Sequence, residues 1–182
     1  MILYKDILDE KHKILHTKSK PVTFPLNADI IKLADDMKDY LYNSQKPEVC
    51  DKYNLRPGMG LSPVQLGKPL RFFVIVFEKE EGLFDEYEIF NPEIVSVSDE
   101  EIFVYEGEGC LSVNRPTDGP VLRHARCTFK GKDRNGNDIK IRVREEVAIA
   151  FQHELDHLNG ILFTDKIDPK KNEYIYNHYR SI

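Results

Sequence analysis

Gln152-His153-Glu154-Leu155-Asp156-His157 is the stretch on which the reading of this chain turns. His153 and His157 are four residues apart. In an α-helix four residues advance about 400°, a little more than one turn, so both imidazoles project from one face and can share a metal ion. Glu154 stands beside them as a carboxylate able to handle protons, the arrangement that His-Glu-x-x-His supplies. The flanks predict the helix. Val147-Ala148-Ile149-Ala150-Phe151 leads in with neither Gly nor Pro, and Gly160 falls where helices are often capped. Extended, the stretch reaches Phe163, at the position where one large class of zinc proteases has a third His. Phenylalanine cannot ligate a metal. The helix supplies two ligands, and the third must come from elsewhere in the chain.

The rest of the chain has the make-up of a globular protein. It has 182 residues, 41% hydrophobic and 10% aromatic, enough for one domain with a real core. A formal net charge of -5 argues against nucleic-acid binding through a broad basic surface and leaves room only for a local patch. No apolar run approaches the ~20 residues needed to span a bilayer. Met1-Ile2-Leu3-Tyr4-Lys5-Asp6 does not read as a signal peptide, because charge interrupts it before an apolar core forms. Cys50, Cys110 and Cys127 are odd in number and scattered, unlike a disulfide framework. The expectation is a soluble cytoplasmic protein without membrane contact, in which a thiol is free to bind metal.

Local patterning predicts an α+β fold. Residues 1–25 read as an arm over the surface, with Pro21 and Pro25 preventing a long helix. Ile30, Leu33, Ala34, Met37 and Leu41 recur at three- and four-residue intervals and mark an amphipathic helix to about Tyr42, capped by Asn27 or Asp29. Residues 43–57 form a polar connection, and Gly58-Met59-Gly60 suggests backbone passing close to something else. Arg71 to Phe77 is β-branched and aromatic, a buried strand. Tyr87–Phe90, Glu93–Val97 and Ile102–Val104 read as short strands. Ala125–Phe129 and Ile139–Val143 flank a turn at Asp133-Arg134-Asn135-Gly136-Asn137. The end of the chain, from Asp168 to Ile182, reads as a helix. The expected architecture is therefore mostly antiparallel β-sheets packed around a central metal-binding helix, with an amphipathic helix in the N-terminal half and a C-terminal helix. All of it is expected to form a single domain, 1–182, with a helical tail from about 168.

Elimination narrows the third ligand. His12, His16 and His178 lie in polar terminal segments, and His124 lies between Arg123 and Arg126, where a cation is disfavoured. Cys127 reads as a small core residue within a strand, and Cys50 has no partner in the polar connection. Cys110, preceded by Gly109, completes a Cys, His, His set with an open fourth position, which is a catalytic rather than a structural arrangement. Gly109 is expected to take a backbone conformation that other residues resist. Ligand types alone suggest zinc.

Three segments, in order, resemble the signature motifs of peptide deformylases. Gly58-Met59-Gly60-Leu61-Ser62-Pro63-Val64-Gln65 is similar to the glycine-rich first motif. Glu108-Gly109-Cys110-Leu111-Ser112 and Gln152-His153-Glu154-Leu155-Asp156-His157 are identical to the second and third. The long connection before the first motif resembles the branch common in Gram-positive bacteria and their relatives. One departure is visible: Ser62-Pro63 stands where the family usually has two Ala.

The resemblance implies removal of the formyl group from the formyl-methionine of newly made polypeptides, with formate released. In that scheme Cys110, His153 and His157 hold one divalent metal, ferrous iron in the cell, with zinc, nickel or cobalt able to substitute. A metal-bound hydroxide attacks the formyl carbon, and Glu154 acts as general base and then general acid. The Gln65 amide and the Leu111 backbone N–H donate to the oxyanion. Backbone near Met59, Gly60 and Gly109 pairs with the peptide, and an apolar pocket near Ile149 and His153 takes the Met side chain. The implied partners are N-formyl-methionyl nascent peptides and a transient contact with the ribosome, with no nucleic acid as substrate; the protein is expected to be a monomer. Two other readings remain: a zinc protease cutting internal peptide bonds, which shares His153, His157 and Glu154 but needs a carboxylate or His as third ligand, and a structural zinc site in a partner-binding module, in which Glu154 and Gln65 would have no role.

Overall fold

A computed structural model describes residues 1–80 and 82–182. The architecture is α+β. A five-stranded antiparallel sheet has the order β1-β2-β3-β6-β7, from strands Gly60–Leu61, Phe72–Glu80, Leu83–Val97, Arg126–Lys132 and Asp138–Arg144. The remaining strands, β4 (Glu101–Phe103), β5 (Arg123–His124) and β8 (Arg180–Ser181), form a second sheet with order β5-β4-β8.

The sheet is covered on both faces where its sequence is continuously apolar. Helix α1 (Ala28–Ser44) lays Leu33, Ala34, Met37 and Leu41 against Phe72, Val74, Val76 and Phe90. Helix α3 (Glu145–Leu158) lays Ala148, Phe151 and Leu155 on the opposite face, against Phe73, Ile75, Ile89, Phe129 and Val143. Because successive strand residues face opposite sides, all five residues Phe72–Val76 are fully buried. On β6 and β7 only the α3 side is apolar, so there the sequence alternates.

Several expectations needed correction. The connection at 43–57 contains helix α2 (Pro47–Tyr53); Pro47 opens it at a position that needs no N–H donor, and Asn54 ends it with a left-handed φ of 49°. The two strands expected at 87–90 and 93–97 are one strand, β3, whose pairing shifts register between Phe90 and Glu93, where Asn91 has φ 50°. The bulge falls in the gap between the two expected strands. The C-terminal helix α4 covers only Asn172–His178, after which the chain returns as β8, parallel to β4. The N-terminal arm is tied in rather than merely laid over the surface. Leu15 is fully buried against Val64 and Leu162, Leu8 N–H donates to Gln65 O at 2.8 Å, and Glu10 N–H donates to Ser112 O at 2.7 Å. The Asn27 cap is present, its side chain accepting from Ile30 N–H at 2.9 Å.

Candidate active site

A cleft of about 300 Å³ opens between the segment 56–60, the loop 107–111 and helix α3. Met59, Gly60, Gln65, Gly109, Cys110, Leu111, Ile149, His153 and Glu154 all line it. His157 lies just behind, 1% exposed.

At the floor of the cleft, Cys110, His153 and His157 each present one ligand atom, and these atoms all lie within 4.8 Å of one another. Cys110 Sγ is 3.3 Å from His157 Nε2 and accepts from Ser112 N–H at 3.4 Å. Burial pushes the Cys110 thiol up, but the facing His157 and His153 rings outweigh it and hold the group well below the ordinary thiol range. His153 Nδ1 donates to Glu108 Oε2 at 2.8 Å, which fixes the ring and leaves Nε2 as its ligand nitrogen. Burial opposes charge on His153, yet Cys110 and Glu108 raise it well above the usual imidazole range. His157 has no such anchor, since its Nδ1 is buried without a hydrogen-bond partner among the described residues. One thiolate and two imidazoles suit a transition-metal ion, and the spacing fits one such ion.

Phe163, in the place of a third His, stacks on the His153 ring at 5.8 Å. It packs the ligand instead of adding one.

Glu154 is 3% exposed. Burial raises its carboxyl, partly offset by the two imidazoles and by Ser62. Ser62 Oγ donates to Glu154 Oε2 at 2.6 Å. The other oxygen, Oε1, abuts the backbone at Gly60, where an added Cβ would lie 2.4 Å away. That approach is what the closely spaced glycines of the first motif allow. Gly109 does not behave as expected: its φ is not positive and an added Cβ there would meet nothing within 4 Å. Its lack of a side chain leaves the cleft wall open.

Pro63 opens a 3-10 turn, Pro63–Leu66, and the Ser62 N–H donates to Gln65 Oε1 at 2.9 Å. The Gln65 amide Nε2 then reaches Ser112 Oγ at 3.2 Å and Cys110 Sγ at 3.8 Å. The Ser62-Pro63 departure therefore preserves the position of Gln65. It also adds a hydroxyl to the carboxylate, and Ser62→Ala tests what that hydroxyl does. The expected result is a kcat lower by about 10- to 10²-fold with unchanged KM and metal content, on the order of one lost hydrogen bond to a charged group. An unchanged kcat would make Ser62 a packing residue.

Sequence reading gave no role to the group behind the ligands. Glu108 accepts two bonds from Arg123, at 2.7 and 3.0 Å, while Arg123 Nη1 also pairs with Asp156. Lys166 reaches Asp156 at 2.8 Å. Arg123 is 1% exposed at its side chain. Glu108 and Asp156 both lie inside quoted motifs, but Arg123 is distant in sequence and carries no local signal. Cys127, as expected, lies in the core beside Phe129 and Val143, and burial pushes its thiol up to about 11.

A thiolate and two imidazoles gathered under an open cleft, with a buried carboxylate at the rim of the set, define a metal-dependent hydrolase. Comparisons with known proteins narrow the class. Residues 4–173 match the family model described as polypeptide deformylase. The chain is 44% identical over 168 residues to a peptide deformylase of Oceanobacillus iheyensis, covering 92% of each chain. It is 40% identical over 183 residues to that of Staphylococcus epidermidis, covering 100% of this chain and 99% of the other. Among solved structures, a Legionella pneumophila peptide deformylase superposes with a TM-score of 0.73 at 33% identity, over 94% of this chain and 90% of that one. A plant peptide deformylase gives 0.76 at 28%, over 94% and 84%. The chain belongs to the peptide deformylase family. Its reaction is hydrolysis of the N-formyl group of formyl-methionyl polypeptides with release of formate. Family membership sets aside both the internal-peptide-bond protease and the structural zinc module.

Proposed function

We propose that Cys110, His153 and His157 together hold one divalent metal ion and that Glu154 manages the protons of deformylation. The observation that carries this reading is the convergence of one sulfur and two nitrogen donors within 4.8 Å beneath a cleft bordered by Glu154. Bound there, the ion acidifies water and so supplies a nucleophile near neutral pH. Glu154 accepts the proton of the attacking water and delivers it to the leaving amine. Its buried position supports the first step, because a carboxyl raised by burial takes a proton more readily.

The oxyanion that develops on the formyl oxygen is met by the Gln65 amide and the Leu111 N–H. Gln65 is oriented by Ser62 and Ser112, and the Leu111 N–H donates to no described residue. Backbone at Met59, Gly60 and Gly109 pairs with the extended peptide, and the apolar wall at Ile149 and His153 receives the methionine side chain. Ferrous iron is the ion proposed in the cell, with zinc, nickel or cobalt as substitutes. The Cys110 thiolate then makes the site sensitive to oxidation. No described helix is long and apolar enough to cross a membrane. We read residues 1–182 as one deformylase domain, a monomer of the cytoplasm that meets formyl-methionyl nascent chains during a transient contact with the ribosome.

The test is formate release from formyl-Met-Ala-Ser by protein purified without oxygen and loaded with ferrous iron or nickel. Gln65→Leu is expected to lower kcat by about 10² while metal content is retained, the usual cost of one oxyanion donor. Parallel loss of metal and activity would instead make Gln65 structural. No formate from a folded, fully loaded protein would overturn the reading.

A further inference from the structure

Helix α1 covers only the β1-β2-β3 part of its face of the large sheet, packing on Phe72, Val74, Val76 and Phe90. On the same side, the β6-β7 half is open. Phe90 pairs with Lys132, which sets that side of β6, and alternation places Lys130, Thr128 and Arg126 there as well. Their directly opposite partners on β7 are Lys140, Arg142 and Arg144. Six cations thus share one sheet surface in a protein of net charge -5, with Asp138 the one acidic residue in the ladder. Lys130, Arg126 and Lys132 are partly answered by Glu93, Glu100 and Asp138. Lys140, Arg142 and Arg144 are exposed and make no ion pair among the described residues.

Folding does not account for this pattern. Charge on β7 keeps an edge strand from pairing with another chain, but β6 is interior, held between β3 and β7. Arg126 lies directly opposite Arg144, and Lys130 directly opposite Lys140. Like charges directly opposite one another across a sheet destabilise it; Glu100 and Glu93 answer Arg126 and Lys130, which leaves Arg144 and Lys140 as the members of each pair without a carboxylate among the described residues.

A small cavity of about 100 Å³ sits in the same surface, bordered by Arg126, Arg142, Thr128, Ser96 and Ser98. The Arg142 guanidinium and the Ser96 and Thr128 hydroxyls, beside an Arg126 that also pairs with Glu100 at 2.7 Å, make a seat suited to one phosphate group. Alternate residues along each strand are about 6–7 Å apart, a spacing commensurate with successive phosphates of an RNA strand.

We propose that the open β6-β7 face is an RNA-backbone docking surface, through which the enzyme rests on ribosomal RNA near its nascent substrate. The setting, although not the surface, rests on the deformylase reading. The charge line suits a phosphate backbone and carries nothing to read bases, so binding is expected to be independent of sequence and steeply dependent on salt.

The experiment compares wild-type, metal-loaded protein with Lys140→Glu/Arg142→Glu and with the milder Lys140→Gln/Arg142→Gln. Binding to protein-free ribosomal RNA and to purified large ribosomal subunits is titrated from 50 to 200 mM salt, with phosphatidylglycerol vesicles as a parallel probe. The wild type is expected to bind both RNA samples. The Glu pair should raise Kd at least tenfold, the Gln pair should weaken binding less, and the salt slope should fall by about 1 to 2. Formate release from the free formyl tripeptide should stay unchanged in both variants, which also shows that they are folded. Equal RNA binding by wild type and Glu pair overturns the proposal. So does absence of wild-type binding at 50 mM salt, or binding to vesicles without binding to RNA. Loss of formate release by the wild type would strike the deformylase reading instead.

Discussion

Glu154→Gln is expected to lower the rate of formate release by about 10⁴, the upper end for one acid–base group, because a single carboxylate serves two proton transfers. Glutamine has nearly the same shape and can still accept the hydrogen bond that Ser62 Oγ gives to Glu154 Oε2 at 2.6 Å. It also fits against Gly60, where no side chain intrudes. What it cannot do is take a proton. The ligand set of Cys110, His153 and His157 does not include position 154, so metal content should match the wild type. Single-turnover formate release on metal-quantified protein checks both halves. A variant within tenfold of wild type would remove Glu154 from the chemistry; loss of metal would make its role structural.

Arg123→Met is expected to destabilise the fold by about 3–5 kcal/mol, the cost of leaving buried charge unpaired. Arg123 is the cation that Glu108 and Asp156 share. Methionine fills a similar volume but leaves Glu108 with only the His153 ring and Asp156 with Lys166 alone. Urea unfolding at neutral pH measures the loss. The double variant Glu108→Gln/Arg123→Met should recover part of it, since the stranded charge is then gone. No recovery would assign the loss to packing. The wild type also has a defined acid response. Burial opposes charge on Glu108, but His153 and Arg123 outweigh it and lower its carboxyl to about 2 from an ordinary 4.5. This depressed value contributes stability that is fully present above the ordinary value and is lost as pH falls through 4.5 towards 2. In Arg123→Met that acid-dependent part should shrink.

The two predictions rest on residues that differ greatly in how legible they are. Glu154 is visible from spacing alone, because a helix of known pitch places it beside two imidazoles. The Cys110 ligand needed elimination together with motif order. Arg123 has no local signature. It matters because β5 carries it back under α3 and the 108–110 loop, a juxtaposition between elements far apart in sequence.

Misread elements have the same origin. Pro47 looked like a loop residue because a proline that opens a helix and one that breaks it are alike without the residues that pack beneath. The bulge at Asn91-Pro92 looked like the end of a strand because only pairing with β6 shows that the strand continues. The end of the chain looked helical throughout, since Arg180–Ser181 becomes a strand only by adding to β4.

Local periodicity and chemistry, read from the sequence by itself, determined the α+β class, the amphipathic helix α1, the buried strand β2 and the helix that carries His153, Glu154 and His157. These follow from pitch, alternation and donor type, which short stretches contain in full. Tertiary structure alone decided that Ser62 grips Glu154, that Glu108 and Arg123 brace His153, and that six cations gather on one open sheet face. Each depends on side chains brought together by register and packing, and register is set by which faces are buried.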